Sequence, residues 1–275
     1  MSQRRSLLPG FGLSLGVTVF TVSLLVLIPL LALVTKSAEL SLGELWHTLA
    51  DRRVLAAFRV SFSTAFAAAF LNLFLGLIVA WVLVRYPLPL KRAWDSLIDL
   101  PFALPTAVAG IVLTTLYSPN GWLGQFFAEL GIRVAFTPLG ITIALIFIGL
   151  PFVVRTVEPV LQDLDRQQEE ASTSLGASRW QTFRRVLLPP LVPALLTGFS
   201  LAFARGLGEY GSVIFIAGNM PMKSEIVPLL IVTKLEQYNY PGATVIALAS
   251  LVVAFVMLLI INGLQQWTRQ RTGRD

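Results

Sequence analysis

The sequence contains no cysteine, so it can form no disulfide, no thiolate metal site and no cysteine nucleophile. Its 275 residues include a single histidine, His47, which leaves no histidine cluster for a metal, and no cofactor is expected. Charged residues make up only 13% of the chain, whereas apolar residues make up 55%. This balance is far from that of an average soluble protein and, with the long apolar runs, indicates a polytopic membrane protein.

A nucleotide-binding loop is also missing from the sequence. No Gly-x4-Gly-Lys-Ser/Thr pattern is present, because Lys36-Ser37 and Lys223-Ser224 lack the preceding glycines. If ATP drives this protein, another chain must hydrolyse it. The net charge of +6 does not indicate a nucleic-acid partner, since basic residues commonly flank the cytoplasmic ends of membrane spans.

Six apolar runs predict an all-α membrane protein, a single domain over residues 1–275 that is embedded in the lipid bilayer. No internal repeat is visible. The third run carries Pro101 and Pro105 near its entrance, and the fourth is predicted to break at residues 149–151, around Pro151. An interfacial helix containing Trp46 is expected between the first two spans. The predicted spans are, approximately, 12–34, 60–84, 99–117, 138–157, 191–217 and 244–264.

The distribution of basic residues predicts the orientation. Six spans place both termini on one side of the membrane, together with the loop between the second and third spans and the interval at about 159–190. These four segments hold thirteen of the lysines and arginines when Arg155 at the adjoining end of the fourth span is included, the three opposite intervals hold seven, and Arg205 lies inside a span. Because the cytoplasmic side carries the excess of Lys and Arg, the termini and the 159–190 interval are predicted to be cytoplasmic.

The interval at about 159–190 is the longest polar stretch between two apolar regions. Ser178-x-x-Gln181 is typical of a capping box that opens a short second helix. On that helix Trp180, Phe183 and Leu187 fall at helical spacing and form one apolar stripe. Two short helices between membrane spans predict a docking surface for another protein.

The same interval resembles the coupling-loop signature of ABC importer permeases, with Ser172 and Val186 as mild departures from it. The resemblance implies a type I ABC importer permease fold with a cytoplasmic coupling helix. It also implies that Glu170, Ala171, Gly176 and Pro189 couple the chain to the ATPase and that Gly176 permits the bend. The positions that match the signature are Glu170, Ala171, Gly176, Val186, Leu188 and Pro189.

Longer stretches resemble the sulfate/thiosulfate permease family of ABC importers, in particular its T-type subunits. The similarity is carried by residues 7–10, 100–124, 149–156, 204–221 and 229–238. It implies a multi-pass subunit of the bacterial inner membrane that works with a second, related permease, a dimer of ATP-binding subunits and a periplasmic sulfate-binding protein. Molybdate and tungstate permeases share the region around Arg205, so an importer for those oxyanions remains an alternative.

The charges of the fifth span are open to two interpretations. Arg205 and Glu209 are spaced i,i+4, so they can share one helix face and partly neutralise each other. They form either a structural ion pair at a helix contact or part of the translocation path, where Arg205 would stabilise an anion in transit. Two other classes of protein compete with a permease: a secondary carrier acting without an ATPase, and a membrane-embedded enzyme. Neither class explains a coupling signature in a cytoplasmic loop.

Overall fold

The computed structural model describes the backbone of residues 11–271 and the side chains of residues 11–263, 265 and 266. These residues form fourteen α-helices and two π-helical turns joined by short connections, and they contain no strand. The basic residues Arg4, Arg5 and Arg274 and the stretch 7–10 lie outside the described residues. The helices are α1 (Phe11–Val22), α2 (Ile28–Ala38), α3 (Leu42–Leu49), α4 (Arg52–Arg85), α5 (Lys91–Ala103), α6 (Thr106–Tyr117), α7 (Trp122–Glu129), α8 (Pro138–Asp163), α9 (Arg166–Ser174), α10 (Arg179–Thr182), α11 (Leu188–Leu207), α12 (Gly211–Ala217), α13 (Val227–Glu236) and α14 (Tyr240–Arg271).

Among the described residues, five helical stretches are long and apolar enough to cross a membrane. A sixth is the pair α5 and α6, whose axes differ by 106°. The bend lies at Leu104, which is extended because the following Pro105 disfavours a helical conformation before it. The prediction of six spans is therefore met when this bent pair counts as one span. The other five stretches are Phe11–Ala38, Arg52–Arg85, Pro138–Asp163, Arg179–Leu207 and Tyr240–Gly263.

The centre of the molecule is a three-helix core of α4, α8 and α11. Small residues allow these helices to approach closely, as in other membrane bundles. A Cβ added at Gly76 of α4 would lie 2.6 Å from a methyl group of Val153, and one at Gly198 of α11 would lie 2.8 Å from the Val153 Cα atom. Val153 itself is fully buried between them. By contrast, α1 buries none of its residues.

The fourth span is continuous, so the predicted break at residues 149–151 was wrong. Helix α8 runs through Pro151, which is buried. The neighbouring helices hold the chain in place here: a Cβ at Gly149 would meet the side-chain amide of Asn72 at 2.5 Å. That amide donates to the carbonyl oxygen of Ile146 at 3.2 Å. Packing on both sides thus keeps the helix intact through a residue that cannot donate its own backbone hydrogen bond.

Two other span boundaries in the structure differ from the predicted ones. The second span begins at Arg52 rather than near residue 60, because the side chain of Asp51 accepts from the amide of Arg53 and caps the helix. The fifth span ends at Leu207, and the chain resumes helix only at Gly211. The predicted interfacial helix before the second span is present as α3, with Trp46 exposed.

The interval between α12 and α14, which lies between the fifth and sixth predicted spans, contains the apolar helix α13. A buried ion pair fixes its entrance: Arg53 donates to both carboxylate oxygens of Glu225 at 2.8 and 2.7 Å. The Glu225 side chain is fully buried, and that of Arg53 is 30% exposed. Beside it, the amide of Val227 donates to the Ser61 hydroxyl at 2.8 Å. These contacts fasten α13 to the first turns of α4.

Replacing Arg53 with alanine is expected to destabilise the protein by about 3 kcal/mol, because it leaves the Glu225 carboxylate buried without its partner. Thermal unfolding of the purified protein in detergent measures this change. The matched control is Arg52→Ala, since Arg52 is the adjacent arginine and is exposed. Equal melting temperatures for the two variants would contradict the structural role of the pair.

Candidate functional site

The interval after α8 folds into a compact pair of short helices. Asp165 caps α9 by accepting from the amide of Gln167 at 2.9 Å. The predicted capping box at Ser178 is confirmed: its hydroxyl accepts from the amide of Gln181 at 3.3 Å, and the Gln181 side chain accepts from the Ser178 amide at 2.8 Å. The hydroxyls of Ser172 and Thr182 lie 3.0 Å apart and tie α9 to α10. We call residues 165–187 the coupling unit.

Gly176 makes the turn between the two helices. Its φ of +83° lies in the left-handed region, which glycine adopts without a steric penalty. The turn closes the end of α9, since the amide of Gly176 donates to the carbonyl of Thr173 at 2.9 Å and that of Ala177 donates to Ser172 at 3.1 Å. The bend that the sequence predicted at Gly176 is therefore a helix C-cap.

The outward face of the coupling unit carries most of the residues that the sequence selected. Glu170, Ala171 and Gly176 are all exposed. Two large apolar side chains stand beside them: Leu175 is 88% exposed and Trp180 is 66% exposed. Exposed apolar side chains with a polar rim are typical of a protein-binding surface. We call this face the coupling surface.

Pro189 does not lie on the coupling surface. It occupies the first turn of α11 and is half-buried. The π-helical turn Phe183–Leu187 directly precedes α11 within the continuous stretch Arg179–Leu207, and such a local adjustment accommodates a residue that has no amide to donate. The three residues of the apolar stripe predicted on the second helix also differ in exposure. Leu187 is buried and Phe183 is half-buried, whereas Trp180 is exposed.

The charged pair of the fifth span is formed in the structure. Arg205 Nη1 contacts Glu209 Oε2 at 2.5 Å. Glu209 is buried, and its other oxygen accepts from the amide and the hydroxyl of Ser212 at 2.9 and 3.1 Å. The carboxylate thus caps the N-terminus of α12 where the span is broken at residues 208–210. The Arg205 side chain remains 36% exposed.

The helices that pack against this pair show where along the membrane-spanning bundle it lies. A Cβ added at Gly206 would lie 3.5 Å from Ala65 on α4 and 3.7 Å from Leu145 on α8. Ala65 lies about 20 Å along α4 from Arg52, at 1.5 Å per residue, and about 30 Å from Arg85. Arg205 therefore lies within the spanning region, on the side opposite the coupling unit.

Comparison with known proteins identifies the family. The model of the binding-protein-dependent transport system inner membrane component family matches residues 72–274, which include the whole coupling unit and the Arg205–Glu209 pair. The chain belongs to this family.

Named relatives of this permease family extend over nearly the whole chain. The sulfate transport system permease protein CysT of Synechocystis sp. is 52% identical over 92% of this chain and 89% of its own length. The protein of the same name from Escherichia coli (strain K12) is 48% identical over 95% of this chain and 94% of its own length. The resemblance found in the sequence is thereby confirmed.

Solved structures confirm the fold of this permease. A bacterial ABC transporter involved in the import of the acidic polysaccharide alginate matches with a TM-score of 0.77 at 16% identity, over 94% of this chain and 96% of that chain. The MetNI methionine ABC transporter matches with a TM-score of 0.54 at 19% identity, over 86% of this chain and all of that chain. The chain has the type I ABC importer permease fold that was expected.

One ionic cluster of this permease was not predicted from the sequence. Arg155 of α8 pairs with both carboxylate oxygens of Asp99 on α5, at 2.9 and 2.7 Å, and with Glu158 at 2.7 Å. Asp95 lies 3.5 Å from the same guanidinium group. The cluster joins the bent third span to the fourth. The signal in the sequence was weak, because only the i,i+3 spacing of Arg155 and Glu158 is local, and Asp95 and Asp99 lie far away along the chain.

Proposed function

We propose that this chain is a transmembrane subunit of an ATP-driven importer that carries sulfate or thiosulfate across the bacterial inner membrane. The observation that carries the proposal is the coupling surface, an exposed face of two capped helices placed directly between two membrane spans. The substrate rests on the relatives that are 52% and 48% identical and are named as sulfate transport permeases. ATP hydrolysis is assigned to a separate chain, since this sequence has no phosphate-binding loop.

The partners follow from the same arrangement. A dimer of ATP-binding subunits docks at the coupling surface, where Glu170 supplies a charge, Ala171 permits close approach and Gly176 supplies the turn. Closure of that dimer on ATP moves the coupling unit and converts the pore between its two access states. A second, related permease completes the pore, and a periplasmic binding protein delivers the oxyanion.

The orientation of the chain is part of the proposal. The coupling unit faces the cytoplasm, and both termini lie on the same side. This is supported by the thirteen lysines and arginines on that side against seven on the other.

Arg205 is the candidate contact for the oxyanion within the membrane. Its guanidinium is partly exposed and lies inside the span. The buried carboxylate of Glu209 pairs with it and holds it in place. Within the described residues, only Nη1 of Arg205 donates a hydrogen bond, so the planar fork of Nε and Nη2 can face an oxyanion. The adjacent Glu209 cancels much of the charge, which suits transient contact rather than tight binding.

The test is co-purification from membranes with native levels of expression, followed by an ATPase assay with added binding protein. We expect an ATP-binding subunit and a second permease to co-elute with this chain. ATP turnover should rise with sulfate-loaded binding protein and not with molybdate-loaded binding protein.

Two results would change the assignment. Stimulation by molybdate in place of sulfate would keep the importer and replace its substrate. Solute movement by the purified chain alone in vesicles would replace the importer with a secondary carrier, because a carrier needs no ATPase.

A further inference from the structure

The coupling unit is attached to the membrane helices by a contact that the sequence did not reveal. Helix α9 buries none of its residues, so apolar packing contributes little to holding it. Its attachment to the second span is an ion pair between Glu169 Oε1 and Nη2 of Arg85, 2.6 Å apart. Arg85 is the last residue of α4, whose length of 34 residues crosses the membrane.

Aromatic side chains support the arginine. Its guanidinium lies 5.8 Å from the ring centre of Trp81, one turn earlier on α4. Trp81 meets Phe183 edge to face at 6.1 Å, and Phe183 stacks on Trp180 at 5.7 Å. The end of α4 therefore contacts α9 through charge and the second helix of the coupling unit through aromatic rings.

The two neighbouring glutamates of α9 differ in exposure and in ion pairing. Glu170 is exposed on the coupling surface, whereas the Glu169 side chain is only 29% exposed and turns toward Arg85, itself 11% exposed. A cleft of about 310 Å³ lies between the end of α4 and α9, and its charged lining residues are Arg85, Arg166, Glu169 and Glu170. Both glutamates thus border the cleft, but only Glu169 pairs with Arg85 across it, whereas Glu170 stays exposed.

The geometry of the pair leaves scope for movement. Nη2 of Arg85 meets Glu169 Oε1 at 2.6 Å as an ion pair, whereas Nε of Arg85 is buried and meets no acceptor among the described residues. Buried donors that lack an acceptor carry a cost that a small shift of α9 would relieve. The contact is therefore suited to tighten or loosen as the coupling unit moves.

We propose that Arg85 and Glu169 are positioning residues for coupled transport, and that their ion pair transmits displacement of the coupling unit to the second span. The proposal rests on the proposed function as an ATP-driven importer. A rigid helix of this length carries a displacement at one end to the other end of the bundle, where it packs against α8 and α11. Glu170 contacts the ATPase, and Glu169 passes the resulting motion into the membrane.

Charge reversal in the complete, reconstituted complex tests the pair. Glu169→Arg and Arg85→Glu are each expected to lower the ratio of oxyanion transported to ATP hydrolysed by about tenfold, with ATP turnover retained. The double variant carrying both changes restores the opposite charges and should recover most of the ratio. The control is Arg92→Glu, an exposed cation at the same end, which should leave the ratio unchanged.

These outcomes distinguish an ion pair that transmits motion from one that only stabilises the complex. A purely structural pair would lower the amount of assembled complex and leave the ratio of the remaining complex intact. Normal ratios in both single variants, or an assembled double variant that stays uncoupled, would overturn the proposal. The ratio is measured with the oxyanion that stimulates the wild-type complex, so failure of sulfate to stimulate counts against the proposed substrate alone.

A second measurement covers charge-reversal variants that do not assemble. The chain has no native cysteine, so Arg85→Cys with Glu169→Cys provides the only thiols in it. We expect the unlinked double variant to be uncoupled and a short bifunctional thiosulfonate linker to restore the ratio. Full coupling without the linker would overturn the proposal.

Discussion

Replacing Gly176 with arginine is expected to leave the assembled importer hydrolysing ATP while oxyanion uptake falls by about tenfold or more. The backbone at this residue has a φ of +83°, and a non-glycine residue held there costs about 1 kcal/mol. A Cβ at Gly176 meets no atom within 4 Å, so the fold tolerates the side chain. The loss comes from a large cation standing on the coupling surface and from the strained turn between its two helices.

The matched control for this change is Gly176→Asn. Asparagine tolerates the left-handed conformation better than other non-glycine residues and adds no charge. We expect this variant to keep most of the uptake. Both variants are compared by the ratio of oxyanion transported to ATP hydrolysed in proteoliposomes. Normal coupling in the arginine variant would show that Gly176 does not face the ATPase.

Replacing Arg205 with glutamine is expected to lower uptake by about tenfold or more in a fully assembled complex. Glutamine keeps a polar group of similar reach but removes the positive charge that is proposed to contact the oxyanion. Glu209 keeps its two hydrogen bonds from Ser212, so the cap of α12 survives the change. Uptake and ATP turnover are measured on complexes matched for subunit content.

Two companion variants decide between the two interpretations of this pair. Arg205→Lys retains the charge and should retain part of the uptake, whereas Glu209→Ala removes the cap of α12 and should lower thermal stability by about 2 kcal/mol. If the pair is only structural, Arg205→Gln will lower stability or assembly while the assembled complex transports normally. That result would remove Arg205 from the translocation path.

The spans and the coupling unit could be predicted because their signals are local. A run of apolar residues long enough to cross the bilayer is recognisable without knowledge of any neighbour. The capping box at Ser178 and the turn at Gly176 involve residues three or four positions apart, so the pattern itself contains both partners. The i,i+4 pair of Arg205 and Glu209 was visible for the same reason.

Predictions failed where packing overrode local preference. Pro151 indicated a break in the fourth span, but neighbouring helices enclose α8 there and keep it continuous. The apolar helix α13 was overlooked because charged residues surround it, and one of them, Glu225, is buried against Arg53 from the distant start of α4. In each case the deciding contact comes from another part of the chain.

The sequence by itself determined the class of protein, most of the spans and the two short helices between the fourth and fifth spans, since composition, helical period and turn chemistry act over a few residues. Only the tertiary structure decided the continuity of the fourth span through Pro151 and the ion pairs Arg53–Glu225, Arg85–Glu169 and Arg155–Asp99. Charges that are remote in sequence choose partners according to how the helices pack. Where a member of the pair is buried, as Glu225 is, the cost of leaving its charge without a partner makes that choice decisive.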